Sequence, residues 1–187
     1  MKKVLMTFVL IAATCSSLVA FGEHPNNHAE AKTPSADEQV QGLEEMCEAN
    51  AEARTARHAE KTLYERLGKE EGIHRLTDEL VRIHLQNDKV KHKFEGLDPD
   101  QVADRVADFM ISGMGGPAVY KNRPTLPDSH RHMKLTNADF MAAGADMIQA
   151  MKNLEYGQNE IDEVVCALVA LRPMVVLEDE AHADSHH

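Results

Sequence analysis

Residues 115–140 read GGPAVYKNRPTLPDSHRHMKLTNADF, and they combine a long helix-breaking segment with a clear helix start. A glycine pair and three prolines exclude a long helix over most of this segment. Thr136 is placed to cap a following helix, because Asp139 lies three residues further on and Leu135 and Phe140 flank the start. The sequence therefore predicts a long irregular loop before a well-capped helix. Such loops inside compact domains are more often functional than decorative.

The rest of residues 62–176 carries the periodicity of amphipathic helices, and no part of it alternates as a strand does. The apolar positions recur at three- or four-residue steps: Ile73, Leu76, Leu80 and Ile83; Val102, Val106, Phe109 and Met110; Met147, Ile148 and Met151; Ile161, Val164, Val165, Leu168 and Leu171. Asp98 followed by Pro99 marks a second helix start. These patterns predict an all-α domain whose loop presents two histidines, His130 and His132.

The ends of the chain are predicted to lie outside this domain. Lys2 and Lys3 precede an apolar run that ends in small residues, so residues 1–22 are predicted to be a cleaved signal peptide that directs export to the periplasm. An uncleaved membrane anchor is the alternative. Residues 23–61 are expected to form a linker with a helix that leads into the domain, and residues 177–187 an acidic, histidine-containing tail.

The charge of the chain restricts its partners. The formal charge is −11 at pH 7, with 31 acidic and 20 basic side chains. No nucleic-acid partner is expected, because a phosphate backbone attracts Lys and Arg. Once the signal is removed, no membrane association is expected either.

Two cysteines, Cys47 and Cys166, would remain after cleavage of the signal. A disulfide between them is allowed in an oxidising compartment. The alternative is that Cys166 is a core residue on a helix and Cys47 is a free thiol. The sequence leaves both open, because it does not give the distance between the two side chains.

Short motifs occur through residues 62–176 in a specific order. From the N-terminus they are Leu63-Tyr64-Glu65-Arg66-Leu67-Gly68 with Gly72-Ile73, then Phe94, then Gly115-Gly116-Pro117 with Tyr120, then His130-x-x-x-x-Leu135-Thr136-x-x-Asp139-Phe140, and finally Leu171-Arg172-Pro173. In order and spacing this set resembles the truncated haemoglobins of the first group. The resemblance implies a shortened globin, a two-over-two helical sandwich around non-covalent haem b, that binds a diatomic gas such as oxygen, NO or CO. No Cys-x-x-Cys-His motif for covalent c-type attachment occurs.

The resemblance also implies roles for individual residues. The family's proximal histidine, the protein's ligand to the haem iron, precedes by ten residues the Phe that opens the penultimate helix, and counting back from Phe140 gives His130. His132 is the fallback, because the preceding loop is slightly longer than in the family. Phe94 matches the aromatic residue that packs flat on the haem.

Three valines, Val81, Val102 and Val106, match the family's positions on the distal side of the haem. Many relatives carry Tyr or Gln at two of these positions, where the side chain donates a hydrogen bond to bound oxygen, and valine cannot donate one. The resemblance therefore implies weakly held oxygen, a fast off-rate and an easily oxidised iron. Phe109 and Met133 complete the expected contacts with the cofactor. His84, three residues after Val81, is expected to be exposed or interhelical, with a position at the edge of the pocket as the alternative.

Two alternatives to a gas-binding haem protein remain at this point. A haem electron-transfer protein would need a second protein ligand to the iron, and no histidine occupies the expected distal positions. A non-haem helical protein could bind metals through its histidine-rich ends. Enzymatic NO or oxygen chemistry at the haem, with an unknown electron donor, is a further open question.

Overall fold

Eight α-helices and two short 3-10 helices make up residues 33–176, the part of the chain that the structure, a computed structural model, describes. The α-helices are α1 (Ala36–Ala49), α2 (Ala51–Glu60), α3 (Leu63–Arg66), α4 (Lys69–His84), α5 (Pro99–Gly113), α6 (Leu126–His130), α7 (Asn137–Asn153) and α8 (Gln158–Val175). The 3-10 helices are η1 (Lys91–Phe94) and η2 (Arg131–Met133). No strand occurs among these residues, which confirms the all-α prediction. The predicted signal peptide and acidic tail lie outside the described residues.

Two of the main helices, α5 and α7, begin where the sequence places their caps. Thr136 and Asp139 form a reciprocal capping box at the start of α7. The Asp98 side chain accepts hydrogen bonds at the start of α5, where Pro99 occupies the first turn. Each cap satisfies backbone N–H groups that have no partner within the helix, and such a cap contributes about 1 kcal/mol. The two predicted helix starts are therefore confirmed.

The predicted loop between α5 and α7 contains a short helix that the sequence did not indicate. Thr125 caps α6 by accepting a hydrogen bond from the backbone N–H of Asp128, and Pro127 lies in its first turn. A proline is tolerated there because the first-turn N–H groups need no partner within the helix. Lys134, with a φ of 47°, ends η2 and leads into α7. This short helix places His130 at its last residue.

The core lies between the helix pairs α4–α5 and α7–α8, with α4 packed most extensively on α5 and α7. Its fully buried side chains include Ile73, Leu76, Ala107, Ile111, Ala150, Met151 and Val164. Burying one large apolar side chain contributes about 1.5–3 kcal/mol, so these four helices supply the main packing energy. Among residues 33–176, no helix combines the length and the apolar character needed to cross a bilayer.

The N-terminal helix α1 belongs to this packed unit instead of only leading into it. It packs against α7 and α8, and its Cys47 forms a disulfide with Cys166 of α8 across a Cα–Cα distance of 5.5 Å. Leu43 and Met46 pack on the same core. The alternative of a free Cys47 thiol is therefore wrong. The apolar stripe of α1 is thin because only one side of the helix meets α7 and α8, and the disulfide adds a covalent link to that contact.

A buried ion cluster attaches α2 and α3 to α8. Arg57 Nε lies 2.6 Å from Glu163 Oε1, and Arg66 contacts both Glu163 and, at 2.7 Å, Glu160. The Glu163 side chain is only 5% exposed, and the two arginines supply the ion pairs that a buried carboxylate needs.

Candidate functional site

His130, the last residue of α6, is oriented by its own helix. Its Nδ1 lies 2.8 Å from the backbone oxygen of Leu126, one turn earlier. Because a carbonyl oxygen only accepts, Nδ1 carries the proton and the neutral ring leaves the Nε2 lone pair available to a metal. Histidines that bind metals almost always have the other ring N–H fixed in this way. His130 is half-buried, whereas His132 is exposed, so the two loop histidines are not equivalent.

A side-chain contact joins the segment after His130 to the segment that carries Phe94. Lys93 Nζ of η1 donates to the backbone oxygen of Met133 in η2 at 2.9 Å. Phe94 and Met133, which the sequence placed around one cofactor, therefore belong to two short helices held side by side. In addition, α6, which ends at His130, packs against α8.

Most of the residues expected to contact the cofactor are apolar side chains that are only half-buried. Val81 of α4 is buried, but Phe94, Val102, Val106, Phe109 and Met133 are only half-buried, although all are apolar. The side of α5 that faces the core carries Ala103, Ala107, Met110 and Ile111, which are buried. One face of α5 thus remains partly open beside the loop. An apolar planar group such as haem fits this arrangement, because it would cover side chains that the protein alone leaves partly exposed.

Phe109 makes an additional contact within the long loop. Its ring meets Tyr120 edge to face, with 5.4 Å between the centroids and 82° between the planes. Tyr120 is held in turn, because its backbone N–H donates to Ser112 Oγ and its hydroxyl donates to the oxygen of Pro124. The start of the loop is therefore fastened to the end of α5.

The glycine pair of the loop permits a close approach to α3. Gly115 has a φ of 91°, and the N–H of Gly116 donates to the oxygen of Ile111 to end α5. A Cβ at Gly116 would lie 2.7 Å from Tyr64 Cδ2 and 2.8 Å from that same oxygen. Met114 accepts a hydrogen bond from the Tyr64 N–H at 2.9 Å. Only glycine fits here, which explains this part of the sequence motif.

His84 is buried between helices, which is one of the placements expected for it. Its Nδ1 lies 2.7 Å from Asp146 Oδ2 of α7, and Asn87 Nδ2 donates to both oxygens of Asp146. Burial lowers the pKa of His84, and the neighbouring Asp146 only partly opposes this shift. The His84 ring also stacks on Phe94, with 5.1 Å between centroids and 26° between planes.

Sequence reasoning did not identify Asp146 or Asn87. A carboxylate between Gly144 and Met147, on the apolar side of α7, was a signal that a buried partner exists. Arg105, next to Val106 in the sequence, is exposed and donates to Gln101 at 3.3 Å. Arg105 and His84, which lie close in sequence to the distal valines, thus each have a hydrogen-bond partner within the protein.

With this geometry in place, comparison with known proteins assigns the class. The bacterial-like globin family matches residues 62–176, well over half of the chain, and the chain belongs to that family. It is similar to the group 1 truncated hemoglobins of Tetrahymena thermophila (28% identical over 102 residues, 54% of this chain and 84% of that protein). The same holds for Tetrahymena pyriformis (29% identical over 103 residues, 55% of this chain and 84% of that protein).

Solved structures of truncated hemoglobins have a fold similar to that of this chain. Truncated hemoglobin from Tetrahymena pyriformis in the Fe(III) form has a TM-score of 0.58 at 26% identity, over 62% of this chain and 98% of that one. The 2/2 hemoglobin from a Synechococcus species, in the cyanomet state with covalently attached heme, has a TM-score of 0.57 at 24% identity, which supports the fold alone. The two-over-two globin fold and the resemblance to group 1 truncated haemoglobins are therefore confirmed. Globins bind haem, and a small gas is the ligand that this family indicates.

Proposed function

We propose that this chain is an exported haem b protein that binds a diatomic gas at an iron held by His130. The observation that carries the proposal is the hydrogen bond from His130 Nδ1 to the Leu126 oxygen, on a half-buried ring. This hydrogen bond leaves the lone pair of Nε2 free to bind a metal, and it fixes the direction of the ring. Haem would supply an iron with one coordination position open to oxygen, NO or CO.

The protein's part in gas binding is to hold the haem and to shape the distal side. Phe94, Val102, Val106, Phe109 and Met133 would contact the ring, and their apolar character excludes water. With Val81 they offer no hydrogen-bond donor. Since a hydrogen bond to a charged group contributes about 1.5–3 kcal/mol, oxygen affinity is expected to be about ten- to a hundredfold below that of a relative with a Tyr donor. NO and CO, which depend less on such donors, are relatively favoured.

The ligand assignment is tested with matched histidine variants. Wild type reconstituted with haem is expected to show a Soret band of a five-coordinate, histidine-ligated iron. His130→Gly should lose haem or change this spectrum, and added imidazole should restore it. His132→Gly is the control two residues away and should keep the wild-type spectrum. If His132→Gly instead changes the spectrum and His130→Gly does not, the assignment is wrong.

The distal proposal has its own variant. Val81→Tyr places a hydroxyl donor at the position where many relatives carry one, so oxygen dissociation should slow by about ten- to a hundredfold. Stopped-flow displacement of oxygen by CO measures this rate. Val81→Phe, which adds the ring without the hydroxyl, is the matched control. An equal rate in the two variants would show that position 81 does not reach the gas.

Export to the periplasm is supported by the Cys47–Cys166 disulfide, because such bonds persist in oxidising compartments. The test is the intact mass of the protein recovered from the periplasmic fraction of a Gram-negative host. The mass is expected to match a chain that begins at Glu23, with both cysteines oxidised. Full-length protein found only in the cytoplasmic fraction would contradict the proposal.

A further inference from the structure

A buried polar cluster lies beside Phe94 and joins α4 to α7. His84, Asp146 and Asn87 form it, with His84 Nδ1 at 2.7 Å from Asp146 and the Asn87 amide at 2.9 and 3.0 Å from the two carboxylate oxygens. The side chains of His84 and Asp146 are each only 10% exposed. Within residues 33–176, Asp146 is the hydrogen-bond partner found for the His84 ring.

Such a cluster stabilises a core less than apolar side chains of the same volume often do. Burying the carboxylate of Asp146 carries a large desolvation penalty, and apolar residues of similar volume would often be no less stabilising. What the cluster adds is geometry. Asn87 fixes the carboxylate, the carboxylate fixes the ring of His84 through Nδ1, and the ring has one orientation left to it.

Phe94 needs support of this kind. It is the last residue of η1, a helix of four residues in which none is buried. The residues that follow it, Glu95, Gly96 and Leu97, are exposed. The backbone alone therefore does little to hold the aromatic ring, and the stack on His84, at 5.1 Å, is the aromatic contact that orients it.

We propose that His84, held by Asp146 and Asn87, is a positioning residue for Phe94: it fixes the Phe94 ring so that the opposite face can pack flat on the haem. The proposal rests on the haem site proposed above. It assigns His84 an action through Phe94 and no contact with the gas. Since an aromatic pair contributes about 0.5–1.5 kcal/mol, loss of the stack should speed haem loss by about two- to tenfold.

Two double variants isolate the contribution of the ring. His84→Leu/Asp146→Leu removes the stack and leaves no unpaired buried charge, whereas His84→Phe/Asp146→Leu keeps an aromatic ring at position 84. Haem transfer from each holoprotein to excess apomyoglobin gives the rate of haem loss. The Leu/Leu variant is expected to lose haem about two- to tenfold faster than wild type, and the Phe/Leu variant should restore retention. Equal rates in the two variants would overturn the proposal.

A gentler pair of substitutions keeps the proposal testable if those variants do not fold. His84→Gln retains a donor for Asp146 but has no ring, and it is combined with Phe94→Leu in a double-mutant cycle. If His84 acts through Phe94, then His84→Gln should speed haem loss in the wild-type background and have no further effect beside Phe94→Leu. Additive effects would overturn the proposal.

A measurement on the haem-free protein separates this proposal from the proposed function. With fluorophenylalanine incorporated, the fluorine resonance of Phe94 is identified by its disappearance in Phe94→Leu. It should move toward the free amino-acid value in His84→Gln, because the ring current of the imidazole is lost. An unchanged resonance would overturn the positioning role. A wild-type protein without a Soret band would instead refute the haem proposal. The resonance shift would still show whether His84 holds the Phe94 ring.

Discussion

Removal of the disulfide between Cys47 and Cys166 tests how the N-terminal helix is attached to the globin domain. The two cysteines are separated by 119 residues, so the bond closes a long loop in the unfolded chain. The loop-entropy relation gives about 5 kcal/mol for a loop of this size, and removal of a native disulfide from a small secreted domain costs about 2–5 kcal/mol. The double variant Cys47→Ser/Cys166→Ser is therefore expected to lose roughly 3–5 kcal/mol of unfolding free energy.

Without the disulfide, α1 is held by the packing of Leu43 and Met46 on the core and by polar pairs at its surface. Asn137 donates to Asp37 at 2.7 Å and Arg172 to Glu44 at 3.5 Å, but such exposed polar pairs contribute about 0–1 kcal/mol each. With the disulfide removed, α1 should open before the rest of the domain unfolds. A loss of 3–5 kcal/mol corresponds to a melting temperature lower by roughly 10–15 °C for a domain of this size.

Urea unfolding followed by circular dichroism measures the free energy, and hydrogen exchange measured by mass spectrometry reports the opening of residues 36–49. Wild type treated with a thiol reductant is the matched control and should reproduce both results of the double variant. If the double variant and reduced wild type keep the midpoint of oxidised wild type, the covalent link does not stabilise the domain. If thiol titration finds Cys47 and Cys166 both reduced in protein from the periplasm, the pairing itself is refuted.

Three further changes test local features of the fold. Gly116→Ala should destabilise by about 1–3 kcal/mol in urea unfolding, because its Cβ would press on the Ile111 oxygen, whereas Gly113→Ala, with open space around it, should not. Glu163→Gln should cost about 1–3 kcal/mol by the same assay, because Arg57 loses its ionic partner and Arg66 keeps only Glu160; an unchanged midpoint would contradict the ion cluster. Hydrogen bonds from an arginine and an asparagine lower the pKa of Glu79 from 4.5 to about 2. The stability advantage of wild type over Glu79→Gln should therefore be complete above pH 4.5 and vanish as the pH falls toward 2, and a pH-independent difference would exclude this carboxylate as its source.

The helices of this protein could be predicted because their signals are local. Apolar residues at three- or four-residue steps give the type of each main helix, and the caps at Asp98 and Thr136 give the starts of α5 and α7. The family resemblance, together with the ten-residue spacing from His130 to Phe140, predicted which of the two loop histidines would bind the haem iron. The short helix that carries His130 was missed, because the prolines of the loop obscured a cap at Thr125.

The pairing of distant side chains depended on how the helices pack. His84 and Asp146 are separated by 62 residues, and Cys47 and Cys166 by 119, so no local pattern relates the members of either pair. His84 stacks on Phe94 because the packing of α4 on α7 buries its ring beside Asp146. Helix α1 is part of the domain because it packs on α7 and α8. Periodicity and caps specify helices because they act within a few residues. Partners across the core follow from the packing of whole helices, which is a property of the folded chain.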